Sequence, residues 1–430
     1  MTRYEYPELG ETLYKDRLSN GLTVCVVPRR GFSRKLAYLA TDFGSIHTDF
    51  ALEGEEIHVP AGIAHFLEHK MFDLPGGRDV SAELAALGAG TNAFTSYDMT
   101  AYYIACTEHF EAALKLLLEF VFTPHFTEES VSKEMGIIDQ EIGMHDDNPD
   151  SRCFEELMGL MYREHPIRIP ILGSSDSIRR ITPEILSLCH RAFYSPGNMV
   201  LCVVGDVEPD RVAEIALQML GPETRPVGEK LRPWQEDMTL PRQEMCAKME
   251  VAMPMFNIAF KAEPVGKGEA AVRQEIVADL AAEALFGESS ALYLKLYEDG
   301  LIDSSFGGGF ETIDGMAVML CSGDSDDPAA VRAALLERVQ QLLEEGIREE
   351  DFLRMKRSAL GRRIRDLDSF DSTCFRLCAY HMAEFDYFDF PRIYRETEVA
   401  DVLECLRRLI REDRCAMAQI HPLKEADYVY

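Results

Sequence analysis

Residues 61–72 read AGIAHFLEHKMF and set His65, Glu68 and His69 within little more than one helical turn. On a helix, positions i, i+3 and i+4 share a face, so the three side chains project together. Two neutral imidazoles one turn apart can both reach one Zn²⁺ at about 2.0–2.1 Å. Glu68 then sits beside the metal's open position, where hydrolysis needs a general base. The flanks Ile63, Ala64, Phe66, Leu67 and Phe72 are apolar, which predicts a helix at least half-buried. A glutamate between two histidines is costly on such a helix unless something pairs it. Motif and burial cost together favour a metal site over a hydrogen-bonded core cluster.

A hydrolytic zinc site usually has three protein ligands and a water. The stretch SVSKEMGIIDQEIGMHDDNP, residues 130–149, supplies the missing donor. Glu134 and Glu141 are seven apart, two helical turns, and share a face. Glu141 as ligand, with Glu134 accepting from an imidazole N–H, is chemically sensible. His145, one turn further on, would instead make a three-histidine site and remains the runner-up.

These side chains need elements to hold them. Strand-like runs LTVCVVP (22–28) and KLAYLATDF (35–43) precede the motif helix. A helix near 79–88 leads through GAG into paired strands TNAFTS and TAYYIAC. Helices follow at about 109–122, 127–146, 150–162 and 182–193, then the strand NMVLCVVGDV and another helix. Residues 221–243, rich in proline and charge and holding the only tryptophan, read as a linker. The order recurs beyond it. MEVAMP and FNIAFKA are strands, AAVRQEIVADLAAEALFG is a helix, SSFGGGFE and MAVMLCSG pair, and CAMAQI closes as a strand. This predicts an α+β protein with two homologous sandwich-like domains, 1–220 and 244–430. Each is a largely antiparallel sheet with helices packed on one face. Only the first carries the metal motif.

Bulk composition narrows the partners. The chain has 430 residues and a formal net charge of −30. Such acidity argues against nucleic acid and against an anionic membrane surface. The most apolar run, MVLCVVG, is too short to span a bilayer, and the start MTRYEYPELG shows no secretory signal. Eleven cysteines without a C-x-x-C pair read as reduced, buried thiols, which predicts a cytoplasmic location. In CFRLC, Cys374 and Cys378 could hold a metal, but no partner cluster is evident, and packing is the expected role.

In order, HFLEHKMF, GAGTNAFTSYDMTAYY, EMGIIDQE and YSPGNMVLCVVGDV resemble the insulinase/pitrilysin family of zinc peptidases, whose inverted H-x-x-E-H motif defines the inverzincins. That family includes the mitochondrial processing peptidase. The wording of HVPAGIAHFLEHKMF and MHDDNPDSR is most similar to bacterial zinc-bearing subunits that accompany a zinc-less sister protein. The resemblance implies a zinc metalloendopeptidase with one Zn²⁺ per chain. His65, His69 and Glu141 would be the ligands, and Glu134 would support them from behind. Glu68 would take a proton from the zinc-bound water. The stretch Asn92, Ala93, Phe94 and Thr95 would lie on an edge strand to which an extended peptide adds, with Asn92 contacting it. A chamber of four such domains implies a dimer that encloses peptides or unfolded segments.

One departure matters. The family's arginine and, seven positions later, tyrosine fall on Lys295 and Ile302 in LYLKLYEDGLIDS. Lysine lacks the forked geometry of arginine, and isoleucine has no donor. A heterodimer whose zinc-less homologue supplies both groups is the favoured reading. A homodimer, a specialised maturation protease, and a non-catalytic peptide-binding subunit of a processing-peptidase-like complex are the alternatives.

Overall fold

A computed structural model describes residues 1–423. The chain divides into two compact units. The first comprises residues 1–142, 169–233 and 364–388. The second comprises 143–168, 234–363 and 389 onward.

The first unit is built on a seven-stranded sheet. Its strands run in the spatial order Thr2–Tyr6, Glu11–Arg17, Thr23–Pro28, Met199–Gly205, Lys35–Thr41, Thr100–Cys106 and Gly90–Thr95. All pairs are antiparallel except Met199–Gly205 with Thr23–Pro28. Gly90–Thr95 therefore forms one edge. The second unit has a five-stranded sheet ordered Glu244–Met249, Cys415–Pro422, Met255–Lys261, Met316–Asp324 and Gly307–Ile313. Here too a late strand inserts between two early ones, parallel to the first and antiparallel to the second. The two sheets thus share five strands in one topology, which is the duplication that the element order implies.

Local chemistry explains the elements. TVCVV and MVLCVV are buried along their whole length. Strands with no polar alternation must be covered on both faces. One face of the first sheet, with Val24, Val26, Leu39, Tyr102, Leu201 and Val203, packs into the main core. That core takes in helices Ile63–Lys70, Phe110–Phe122, Pro183–Phe193 and Pro209–Leu220. Helix Phe370–Met382, from far along the chain, packs against strands Met199–Gly205 and Lys35–Thr41. Its Cys374 thiol donates to the carbonyl of Cys202 at 3.6 Å. The second sheet receives helix Pro149–Met161 in the same way, with the Cys153 thiol donating to Ala418 O at 3.5 Å.

These two helices cross the expected division at 221–243. Each packs on the sheet of the other half's sequence, so both units are discontinuous. The 221–243 stretch is also tied down rather than loose. Glu229–Lys230 pairs with Asp49–Leu52 in the first unit. Glu236 in the second accepts from the backbone N–H groups of Arg163, Glu164 and His165 at 2.7, 2.5 and 2.8 Å. Lys261, buried, completes the clamp at 3.2 Å. The strand expected at 249–254 lies at Glu244–Met249 instead. There it gains the parallel ladder to Cys415–Pro422, and Pro254 falls in the turn that follows.

Cys374 and Cys378 do have neighbours, contrary to the sequence reading. Cys25 and Cys202 are register partners on adjacent strands and lie against the same helix. The separation in sequence hid this cluster. The thiols are buried, and their pKa values are raised, Cys202, Cys374 and Cys378 chiefly by loss of hydration. They therefore stay protonated, as packing groups do.

Candidate metal centre

Helix Ile63–Lys70 begins at Gly62, which sits at φ 88. A Cβ there would meet Leu172 O at 2.4 Å, so glycine is required on two counts. Seven of the eight helix residues are buried, including His65 and Glu68. Lys70 is buried as well and pairs with Asp73, with Ser130 O at 3.4 Å. That contact ties the end of this helix to the start of helix Glu128–Asp146.

Helix Glu128–Asp146 buries a stripe of Val131, Ile138 and Ile142, spaced at i, i+7 and i+11. Burying the stripe turns Glu134 and Glu141 toward the histidines. His65 Nε2 lies 3.6 Å from Glu141 Oε1, and His69 Nε2 lies 3.6 Å from Glu141 Oε2. One donor atom from each of His65, His69 and Glu141 lies within 4.8 Å of the others. Among the described residues no other group of three or more such donors is as close.

The donor set fits zinc. Tetrahedral ligands with bonds of about 2.0–2.1 Å are separated by roughly 3.3 Å. The two separations from Glu141, 3.6 Å each, need close by only a few tenths of an ångström. Two imidazoles and a carboxylate also leave the fourth position open, as a hydrolytic site requires. Behind the ligands, His69 Nδ1 meets Glu134 Oε1 at 2.9 Å. This contact fixes the His69 tautomer, with Nδ1–H donating and Nε2 free for metal. Burial works against a charged His69, but the Glu134 hydrogen bond and the carboxylates of Glu68 and Glu141 raise its pKa overall. Glu134→Gln is therefore expected to weaken zinc affinity about 10–100-fold. Competition with a chromophoric chelator measures it, and unchanged affinity would remove Glu134 from the site.

Glu68 is 9% exposed. Burial raises its carboxyl pKa, opposed by a hydrogen bond from Thr95 and by the neighbouring His69. The Thr95 hydroxyl donates to Glu68 Oε2 at 2.6 Å. This partner answers the cost of burying the carboxylate.

The other predicted residues are placed as follows. His145 does not join the three donors. Its Nδ1 faces Glu155 Oε1 at 3.3 Å in the second unit, because one more helical turn carries it past the histidines. On strand Gly90–Thr95, alternation sets Asn92 and Phe94 on the face opposite Thr95. Phe94 packs on Phe375 and Tyr38, with ring centroids 5.8 and 6.5 Å away. Asn92 is exposed, and its Oδ1 accepts from the Ala93 N–H at 2.9 Å. Lys295 is exposed and paired with Asp299 at 2.8 Å, whereas Ile302 is buried in the second unit. Neither position offers a tyrosine-like donor. Thr100, opposite Thr95 in the hairpin register, went unread. Its signal is the spacing Thr95–Ser96–Tyr97–Asp98–Met99–Thr100, which a tight hairpin brings face to face.

Known proteins resemble the chain in sequence and in fold. The sequence pattern of the insulinase family (peptidase family M16) matches residues 55–175. That of the peptidase M16 inactive domain matches residues 180–359. The chain is 36% identical to an uncharacterized zinc protease of Bacillus subtilis, YmfH, over 97% of this chain and 98% of that one. It superposes on an M16-like peptidase from Alicyclobacillus acidocaldarius with a TM-score of 0.92 and 33% identity, covering 98% of this chain and 100% of that one. A protease from Helicobacter pylori shares the fold at TM-score 0.82 and 19% identity, over 95% and 99% of the two chains. With a two-domain α+β fold, both domain patterns and a relative matched over nearly its whole length, the chain belongs to the insulinase family, peptidase family M16.

Proposed function

We propose that this chain is a zinc-dependent endopeptidase whose hydrolytic base is Glu68. The observation that carries the reading is the convergence of His65, His69 and Glu141 beside a buried, hydrogen-bonded carboxylate. Zinc bound there would polarise both the attacking water and the peptide carbonyl. His65, His69 and Glu141 would hold one such ion per chain, and Glu134 would keep His69 aimed. Glu68 takes the proton from the attacking water and hands it to the leaving amine. Among the described residues strand Gly90–Thr95 is paired on one side only, so an extended peptide could add to its open edge. Asn92 and Ala93 would meet that peptide first.

The environment of residues 295–302 supports a partnered enzyme. Ile302 cannot donate to a developing oxyanion, and a missing donor costs about 10²–10³ in rate. We therefore place the chain in a dimer, with a zinc-less homologue supplying the arginine and tyrosine; its free, mostly buried cysteines support a reducing compartment such as the cytoplasm. Among the described residues no helix is long and apolar enough to cross a membrane.

The test is an internally quenched peptide panel offered to the zinc-loaded chain, alone and with proteins captured on it from its native cells. Internal cleavage, faster with the captured partner, is expected. Peptide binding without turnover in either arm would replace this reading with a peptide-binding subunit.

A further inference from the structure

The Glu68 carboxylate has two oxygens, and the reaction needs one of them free and aimed. We infer that Thr95 is a positioning residue that ties Oε2 and leaves Oε1 as the working oxygen. The direction of the hydrogen bonds supports this. The Thr100 hydroxyl donates to the carbonyl of Phe43 at 2.9 Å, deep in the unit. Its single proton is then used, so toward Thr95, 3.3 Å away, it can only accept. The Thr95 proton has two candidate acceptors, Thr100 and Glu68. The contact to Glu68 is 2.6 Å and charge-assisted, so it prevails.

Both hydroxyls are held by the sheet. Thr95 and Thr100 are register partners at the closed end of the hairpin. Beyond them, Ser96 N–H donates to Met99 O at 2.7 Å, which locks the turn. With the Thr100 proton held by Phe43 O, the Thr95 proton is left to Glu68, and the paired hairpin backbone ties that hydroxyl, and so one oxygen of the base, to the rigid sheet. Thr95 sits on the strand proposed to receive substrate, yet its hydroxyl is turned to Glu68. Its role is to orient the base rather than to grip the peptide. What the clamp does for catalysis rests on the peptidase reading, but its existence does not.

The experiment uses the full chain and two substitutions. Thr95→Val keeps the shape and removes the hydroxyl, while Thr95→Ser keeps the hydroxyl. Valine is expected to lower kcat about 10–100-fold with KM and zinc content unchanged, and serine to restore most of it. A thermal cycle on the chelator-treated, metal-free chain needs no activity. Thr95→Val should lower Tm by about 2–5 °C with Glu68 present and by far less in a Glu68→Ala background. Equal Tm losses in the two backgrounds, or a serine variant as impaired as valine, would overturn the inference. Should the wild type cleave no peptide while the thermal coupling holds, the clamp stands and the peptidase reading alone falls.

Discussion

Glu141→Ala is expected to strip the chain of its metal. The Glu141 carboxylate faces both imidazoles at once, each oxygen 3.6 Å from one Nε2. Without it two histidines on one helix remain, and a pair of neutral donors holds zinc poorly against water. Affinity should fall by more than the factor of about 10–100 expected for an outer partner such as Glu134. Dialysed protein should then carry well under one zinc per chain, measured by mass spectrometry, and peptide cleavage should vanish with it. His65→Ala and His69→Ala should behave alike. His145→Ala is the informative contrast. Its imidazole is engaged by Glu155, so zinc content and cleavage should stay at the wild-type level. Loss of zinc in the His145 variant, with zinc kept in the Glu141 variant, would reverse the ligand assignment.

Glu68→Gln is expected to separate binding from chemistry. Glutamine keeps the size of the side chain and can still accept the Thr95 hydrogen bond. It cannot take a proton. General acid–base catalysis contributes about 10²–10⁴-fold, and most of that should disappear from kcat. Zinc content should stay near the wild-type value, because Glu68 is not among the three donors. Peptide affinity should also persist, which makes this variant suitable for capturing substrates. Cleavage within tenfold of wild type at equal zinc content would remove Glu68 from the mechanism.

The parts of this site legible in sequence are those that depend on helical period. His65, Glu68 and His69 lie on one short helix, and Glu134 and Glu141 lie two turns apart on another. Local geometry settles such relations, so counting residues recovers them. The choice between Glu141 and His145 was different, because both continue the same face. The placement of Glu141 beside the histidines and of His145 toward Glu155 depends on where the Val131–Ile138–Ile142 stripe seats the helix, which no spacing rule reveals.

The same limit applies to the sheet. The buried runs 22–28 and 199–205 are plain as strands. That they pair in parallel, with Cys25 opposite Cys202, is not plain. Nor is the exchange of helices Pro149–Met161 and Phe370–Met382 between the two halves of the sequence. Those contacts join residues far apart in sequence and are fixed by packing alone. Thr95 illustrates an intermediate case. The family resemblance implied its place on an edge, and its strand was legible. Its partner was not, because that required knowing which helix lies over the hairpin.

The central claim is most directly tested by titrating the metal-free chain with zinc while following cleavage of one quenched peptide. The assignment of His65, His69 and Glu141 as a single site with Glu68 as its base predicts hydrolysis that rises linearly and breaks at one zinc per chain. A chain that takes up one zinc and cleaves nothing, with its captured partner present, would contradict the account, as would full hydrolysis before any zinc is added.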